Sequence, residues 1–306
     1  MMDASLLPAL SAFLQVARAG SFTRAATALD VSPSALSQTM RTLERKLDVR
    51  LLHRTTRSVS LTEEGRQLLE QVAPALQAVE HAVQAIDDTR GRPVGEIRIN
   101  TSRMAARCLL EPHLPEFIRR HPGIRMELVL DDGIGDIVSD GCDAGIRLGE
   151  SLTPGMVAVP ITPMVRMAIV GAPAYFARYP PPQTPADLAG HACVRLRLTT
   201  SAGILPWSLS EPDDPAREFE IEPQGRYTVN DDDAMLRAAL LGLGLVQHME
   251  LAVRPHIADG TLVEVLRPWS APFAGFHLYV PTRVQMPAKM RALIDFLVEK
   301  RAAMAG

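Results

Sequence analysis

Residues 21–61, SFTRAATALDVSPSALSQTMRTLERKLDVRLLHRTTRSVSL, constrain the fold of this chain more tightly than any other stretch. Ser32 and Pro33 start a helix: the serine caps it and the proline occupies the first position, where its missing N–H costs nothing. Leu36, Met40, Leu43 and Leu47 then recur at steps of four and three, which gives the helix one buried stripe. Its other side carries Ser34, Ser37, Gln38, Arg41 and Arg45, with no carboxylate before Glu44. Short hydroxyls, an amide and guanidinium groups are what base edges and phosphates hydrogen-bond to, and a carboxylate there would repel the phosphates. A generic solvated helix more often carries Glu and Lys.

The flanking residues extend this unit. Leu6, Leu7, Leu10, Phe13, Leu14 and Ala17 predict an amphipathic helix over about 5–18, ended by Gly20. Thr23 is the expected N-cap of a short second helix, with Ala25, Ala26 and Leu29 inward and Asp30-Val31 as the turn. After the third helix, Leu51, Leu52, Val59 and Leu61 can pair as two short strands, with Arg54, Thr55 and Arg57 at a basic tip. The whole predicts a winged helix-turn-helix over 1–61. Thr23 and Ser32, at the starts of two helices, join Ser34, Ser37, Gln38, Arg41, Arg45, Arg54, Thr55 and Arg57 as candidate DNA contacts.

Charge supports a local interface. The 306 residues carry a formal net charge of −3, so nothing global holds nucleic acid. Between Arg18 and Arg57, eight basic residues face three acidic ones, a local +5 that leaves −8 for the rest. Taken alone, such a cluster is usually a solvated face.

From Thr62 a long helix begins, with Glu63 and Glu64 at its positive end. Leu69, Val72, Leu76, Val79, Val83 and Ile86 follow a narrow heptad seam, which predicts pairing with a second copy over packing on the chain's own domain. Pro74 should kink this rod, and residues 87–93 read as a hinge. Beyond it, strands (96–100, 124–130, 142–149, 156–161, 165–170, 192–196, 226–229, 276–280) alternate with helices, predicting largely parallel sheets covered on both faces. One helix carries Met104, Leu109, Leu110, Leu114, Phe117 and Ile118 inward. The last carries Met290, Leu293, Ile294, Leu297 and Val298. Residues 211–215, EPDDP, read as an exposed turn.

The front of the chain resembles the N-terminal domain of LysR-type transcriptional regulators. The marks are GSF, the paired alanines, VSPSALS, LE-x-x-L, L-x-x-R-T and the closing LTE-x-G, about 45 residues without a gap. DAGIRLGE (143–150), PADLAGHACVR (185–195), LPW (205–207) and Asn230-Asp231 extend the resemblance, less specifically, over nearly all of the chain. It implies a linker and hinge over 62–93 through which family members dimerise. It also implies a two-lobed α/β effector domain with a type II periplasmic-binding-protein-like fold, one lobe from 94–161 and 268–306 and the other from 162–267. By the same resemblance, two dimers form a tetramer on promoter DNA, RNA polymerase is a further partner, and the effector sits near Thr101 and Ser102.

Residue chemistry adds detail to that site. In open α/β sheets, ligands bind at the carboxyl ends of strands, where helix N-termini offer free N–H groups. Thr101 and Ser102 lie at such a point and could hold a carboxylate, so a small anionic effector is expected. Ser102 can equally serve as a plain helix cap, a role compatible with ligand contact. Arg147, a cation in an apolar strand, needs an anion or a structural partner such as Glu150. Asn230 faces the cleft from the other lobe, and Gln247 is a further lining candidate.

Enzyme signatures are missing: there is no GxSxG, HExxH, GxxxxGK[ST] or GxGxxG sequence, and no catalytic residue, cofactor or metal is expected. Cys108, Cys142 and Cys193 are odd in number and widely spaced, as in buried thiols of a reducing compartment. Asp3 stands where a secretion leader would be basic, and no apolar run reaches the ~18 residues of a membrane span. A cytoplasmic regulator is expected. A stand-alone solute-binding protein, and a regulator whose second domain senses no ligand, remain as alternatives.

Overall fold

The computed structural model describes residues 6–54, 59–88, 93–133, 141–149, 156–199, 201–281 and 286–304. By its internal contacts the chain divides into two units, the first holding residues 1–92 and 136–142, the second the remainder.

The first unit opens with α1 (Leu6–Ala19), α2 (Phe22–Ala28) and α3 (Pro33–Leu47) around a core of Phe13, Val16, Ala25, Ala26, Leu36, Met40 and Leu43. Gly20 ends α1 at φ +57°, a conformation a side chain would strain. Ser21, not Thr23, caps α2: its hydroxyl accepts from the Arg24 N–H at 3.5 Å, and Thr23 is an exposed residue in the first turn. Ser32 caps α3 through Ala35 N–H at 3.1 Å, with Pro33 in the first turn, as the sequence predicts. Leu47, expected in the buried stripe, is 37% exposed, because α3 ends there and Asp48 turns left-handed at φ 54°. A two-stranded antiparallel wing follows, β1 (Leu52–Arg54) on β2 (Val59–Leu61), with Leu52 opposite Leu61.

Helix α4 (Glu63–Asp88) runs on through Pro74. Its apolar seam divides. Leu68, Leu69, Val72 and Leu76 pack against the core of their own three-helix head, the arrangement that the seam's narrowness argued against. Val79 is 51% exposed, and the side chains of Val83 and Ile86 lie outside the described residues.

The second unit is built on two groups of sheets. In the first lobe, β3 (Gly95–Thr101) leads into a short α5 (Arg103–Ala105) and a π turn (Ala106–Leu110), then α6 (Leu114–Arg120) and β4 (Ile124–Leu130). The prolines at 112 and 115 interrupt what would otherwise be one helix, and Ile118, read as inward, is 50% exposed. Strands β5 (Ala144–Leu148) and β6 (Met156–Pro160) complete the outward path.

The second lobe holds β7 (Met167–Gly171), α7 (Pro173–Phe176), β8 (Val194–Leu196), β9 (Trp207–Glu211), β10 (Asp214–Ile221) and β11 (Tyr227–Val229). It continues with α8 (Asp232–Leu240), β12 (Val246–Met249), α9 (Glu250–Ala258) and β13 (Val263–Val265). The chain then returns: β14 (Phe276–Pro281) enters the first lobe, giving the order β4-β3-β5-β14-β6, and α10 (Ala288–Met304) covers that sheet.

The sheets are mixed, against the expectation of largely parallel ones. β3 is parallel to β4 and β5, and β8 to β11. The strands that travel back, β12 and β13 onto β7 and β14 onto β5 and β6, pair antiparallel. β14 re-enters the first-lobe sheet from the other lobe, while β12 and β13 fold back onto β7 within the second, and local pattern encodes neither direction. The β9–β10 hairpin, with Glu211 opposite Asp214, is where the EPDDP turn was expected. On α10, Met290, Leu293, Phe296 and Leu297 are buried while Val298 is 40% exposed.

Candidate nucleic-acid interface and effector cavity

The head presents α3 as predicted for a reading helix. Its buried stripe is Leu36, Met40 and Leu43; Ser34, Gln38, Arg41 and Arg45 are exposed and Ser37 is half-buried. Glu44, the carboxylate in α3, is turned onto the wing. Its Oε1 accepts the backbone N–H groups of Leu51 at 3.0 Å and Leu52 at 3.2 Å. This removes a negative charge from the exposed face and fixes the approach of the wing, two consequences of one contact. Thr62 fixes the other side: its hydroxyl donates to the Arg50 carbonyl at 2.7 Å and accepts from Gly65 N–H at 3.0 Å. Neither residue stood out in the sequence as a brace, although both lie in stretches, LE-x-x-L and LTE-x-G, that carry the resemblance. Ser32 is committed to capping, and its hydroxyl lies 3.0 Å from that of Ser34. Thr55, Arg57 and the side chain of Arg54 lie outside the described residues.

The second unit contains a cavity of about 470 Å³, within the range that encloses a small molecule. Met104 and Leu148 of the first lobe face Met167, Leu196, Met235 and Met249 of the second across it. Of the five effector candidates, Gln247 lies in its wall. That side chain is 6% exposed and closes a two-way bridge with the Ser208 backbone, accepting at 3.2 Å and donating at 2.8 Å.

The other four lie elsewhere. Thr101 is fully buried at the end of β3, and Ser102 caps α5 through Ala105 N–H at 3.2 Å. Asn230 is exposed. Arg147 spends its guanidinium inside the protein, on the Asn100 carbonyl (3.3 Å), the Asn100 side-chain oxygen (2.5 Å) and the Ile146 carbonyl (2.9 Å). Among the described residues its side-chain partner is the buried Asn100 amide; Glu150 lies outside them. The strand-to-helix turns were the right places to look, since Met104 and Asp232, two residues past Ser102 and Asn230, do line the cavity.

Of the three thiols, Cys142 and Cys193 are buried and Cys108 is half-buried. Burial pushes Cys108 and Cys193 up to about 11. Since the thiolate is the reactive form, both should alkylate with iodoacetamide at pH 7 at least ~100-fold more slowly in the native protein than after denaturation. Equal native and denatured rates would refute this.

Comparison with known proteins places this geometry. Residues 7–66 match the bacterial regulatory helix-turn-helix protein model of the lysR family, and residues 90–302 the LysR substrate binding domain. A Pseudomonas aeruginosa relative is 40% identical over 288 residues, 94% of this chain and 93% of its own length. The transcriptional regulator PgrR of Escherichia coli is 39% identical, covering 96% of this chain and 97% of that one. The solved structure of CrgA, a LysR-type transcriptional regulator from Neisseria meningitidis, superposes with a TM-score of 0.62 at 28% identity over 98% of this chain and 99% of that one. The head at 7–66 sets aside the stand-alone solute-binding alternative. With a reading helix at its front and a domain for a small molecule behind, the chain belongs to the LysR family of DNA-binding transcriptional regulators.

Proposed function

We propose that α3 enters the major groove and reads bases with Ser34, Ser37, Gln38, Arg41 and Arg45, while the wing residues Arg54, Thr55 and Arg57 hold phosphates or a minor groove. Thr23 and Ser32 approach the backbone from the starts of α2 and α3. The observation that carries this reading is the division of α3 into a buried stripe and an exposed face cleared of carboxylate by the Glu44 contact. Two copies pair through the outer part of α4, where Val79 is exposed and the seam continues to Val83 and Ile86. Leu69, Val72 and Leu76 support that arm from the head.

Such a dimer sets two heads on half-sites about one DNA turn apart, or a multiple of it. A tetramer of two dimers, acting in the cytoplasm beside RNA polymerase, changes head spacing when a small molecule fills the cavity of the second unit. No helix among the described residues is long and apolar enough to cross a membrane.

Gel-shift titrations over a salt series test the interface. Gln38→Ala and Arg41→Ala should each weaken the cognate site about tenfold or more and leave random DNA less affected, since a bidentate base contact is worth roughly 1–3 kcal/mol of discrimination. Arg54→Ala should weaken every sequence alike and reduce the salt slope by about one. If both classes lose affinity equally on all sequences, the division between reading helix and wing is wrong.

A further inference from the structure

The walls of the cavity argue for a ligand class different from the anion that the sequence suggested. Among the described residues no lysine or arginine lines it, whereas two carboxylates do, Glu218 and Asp232. His248, which could carry a positive charge, is 3% exposed, and burial holds it below the ordinary imidazole range, so it is neutral at pH 7. The cations that might have served an anion nearby are engaged: Arg147 with Asn100, and Arg103 with Asp132. The helix N-terminus on the second-lobe side, which could cradle an anion, is filled by the chain's own aspartates. Asp231 caps α8 by accepting from Ala234 N–H at 2.7 Å.

The three successive aspartates differ in their partners. Asp231 lies 3.9 Å from Arg237, and Asp233 pairs with both Arg107 (3.3 Å) and Arg237. Asp232 has no ion-pair partner among the described residues, is half-buried, and faces the cavity. Desolvation raises its pKa, the condition a bound cation relieves. The rest of the wall is largely apolar and rich in methionine, with Met104, Met167, Met235 and Met249, side chains that adapt to flat or irregular hydrocarbon and contact aromatic rings favourably.

We infer that the cavity takes a hydrophobic amine, its apolar body among the methionines and its protonated nitrogen against the Asp232 carboxylate. This rests on the reading of the cavity as the effector site and narrows it to a charge and polarity class.

The test uses the full chain and three probes of one shape, phenylbutylamine, phenylbutanol and phenylbutyrate, titrated calorimetrically at pH 7 against the wild type, Asp232→Asn and the cavity-filling Ala271→Phe. The amine should bind at least about tenfold more tightly than the alcohol, the size of a partly desolvated charge pair, and the acid most weakly. Asp232→Asn, nearly isosteric, should abolish the preference for the amine and leave the alcohol unchanged, an internal control for folding. Ala271→Phe should weaken both. If alcohol or acid binds as tightly as the amine and Ala271→Phe still blocks it, the amine inference falls while the effector-cavity reading stands. If none of the three binds, both fall.

Discussion

Lys289→Ala is expected to lower the thermal midpoint of the second unit by roughly 10 °C, since breaking a buried ion pair costs about 3–5 kcal/mol and each kcal/mol moves a domain of this size by about 2–4 °C. Lys289 is 3% exposed near the start of α10, and its ammonium reaches the Glu96 carbonyl on β3 and Asp143 Oδ1 at 3.4 Å. Asp143 is 9% exposed and also accepts the Arg98 N–H at 2.9 Å. One side chain thus ties the last helix to β3 of the first-lobe sheet and to the residue before β5. Removing it leaves a carboxylate in the core without its ammonium, and most of the cost lies in that uncompensated charge. Both tryptophans, Trp207 and Trp269, lie in this unit, so their fluorescence follows its unfolding without interference from the head. The double variant Lys289→Met with Asp143→Asn should recover most of the loss. A shift under about 2 °C for Lys289→Ala, on the same scale, would show that the pair contributes little.

That residue also marks a limit of sequence reading. In the stretch around α10 the apolar period places Met290, Leu293 and Leu297 inside, and they are; Lys289 reads as solvated because nothing local announces a carboxylate 146 positions earlier in the chain. The same distinction runs through the molecule. The head was legible almost residue by residue because its determinants are short-range: a cap, a proline at the first turn, a stripe at steps of four and three. The one misplaced cap, Thr23 for Ser21, is a shift of two positions between neighbouring hydroxyls.

The α4 seam was harder, since an apolar stripe specifies burial without saying against what, and Leu69, Val72 and Leu76 are partly buried against their own head. The returning strand β14 was expected in a largely parallel sheet, because its direction is set by the chain's return from the other lobe and not by local pattern. At the cavity, the turns after β3 and β11 were identified by a general rule of α/β sheets. Which side chains reach the wall depends on the twist of each turn, and the rule cannot resolve two residues.

Gly65→Ala sets two local effects against each other, and packing should win. Gly65 lies in the first turn of α4, where alanine would ordinarily gain about 1 kcal/mol in helix propensity. A Cβ there, however, would stand 2.1 Å from the Leu51 carbonyl oxygen and 3.0 Å from its carbon, backbone atoms that no rotamer change can move aside. Leu51 itself is 1% exposed, so it has no solvent to move into. Relief requires α4 and the start of the wing to separate. That movement would strain the Thr62 bonds to Arg50 and Gly65 and pull the Leu51 and Leu52 amides from Glu44. Overpacking of this kind costs up to about 3 kcal/mol, which leaves a net loss of roughly 2 kcal/mol in the head.

The functional loss should exceed the stability loss, because the wing would be displaced from α3 and the Glu44 carboxylate would be released beside the reading face, where it repels phosphate. Cognate DNA affinity should fall more than tenfold even at temperatures where the head stays folded. Hydrogen exchange reads the cause directly, since the Leu51 and Leu52 amides should lose protection while those in the middle of α3 keep theirs. If Gly65→Ala instead gave a more stable head with both amides still protected, the closing glycine of LTE-x-G would not be there for the close approach of Leu51.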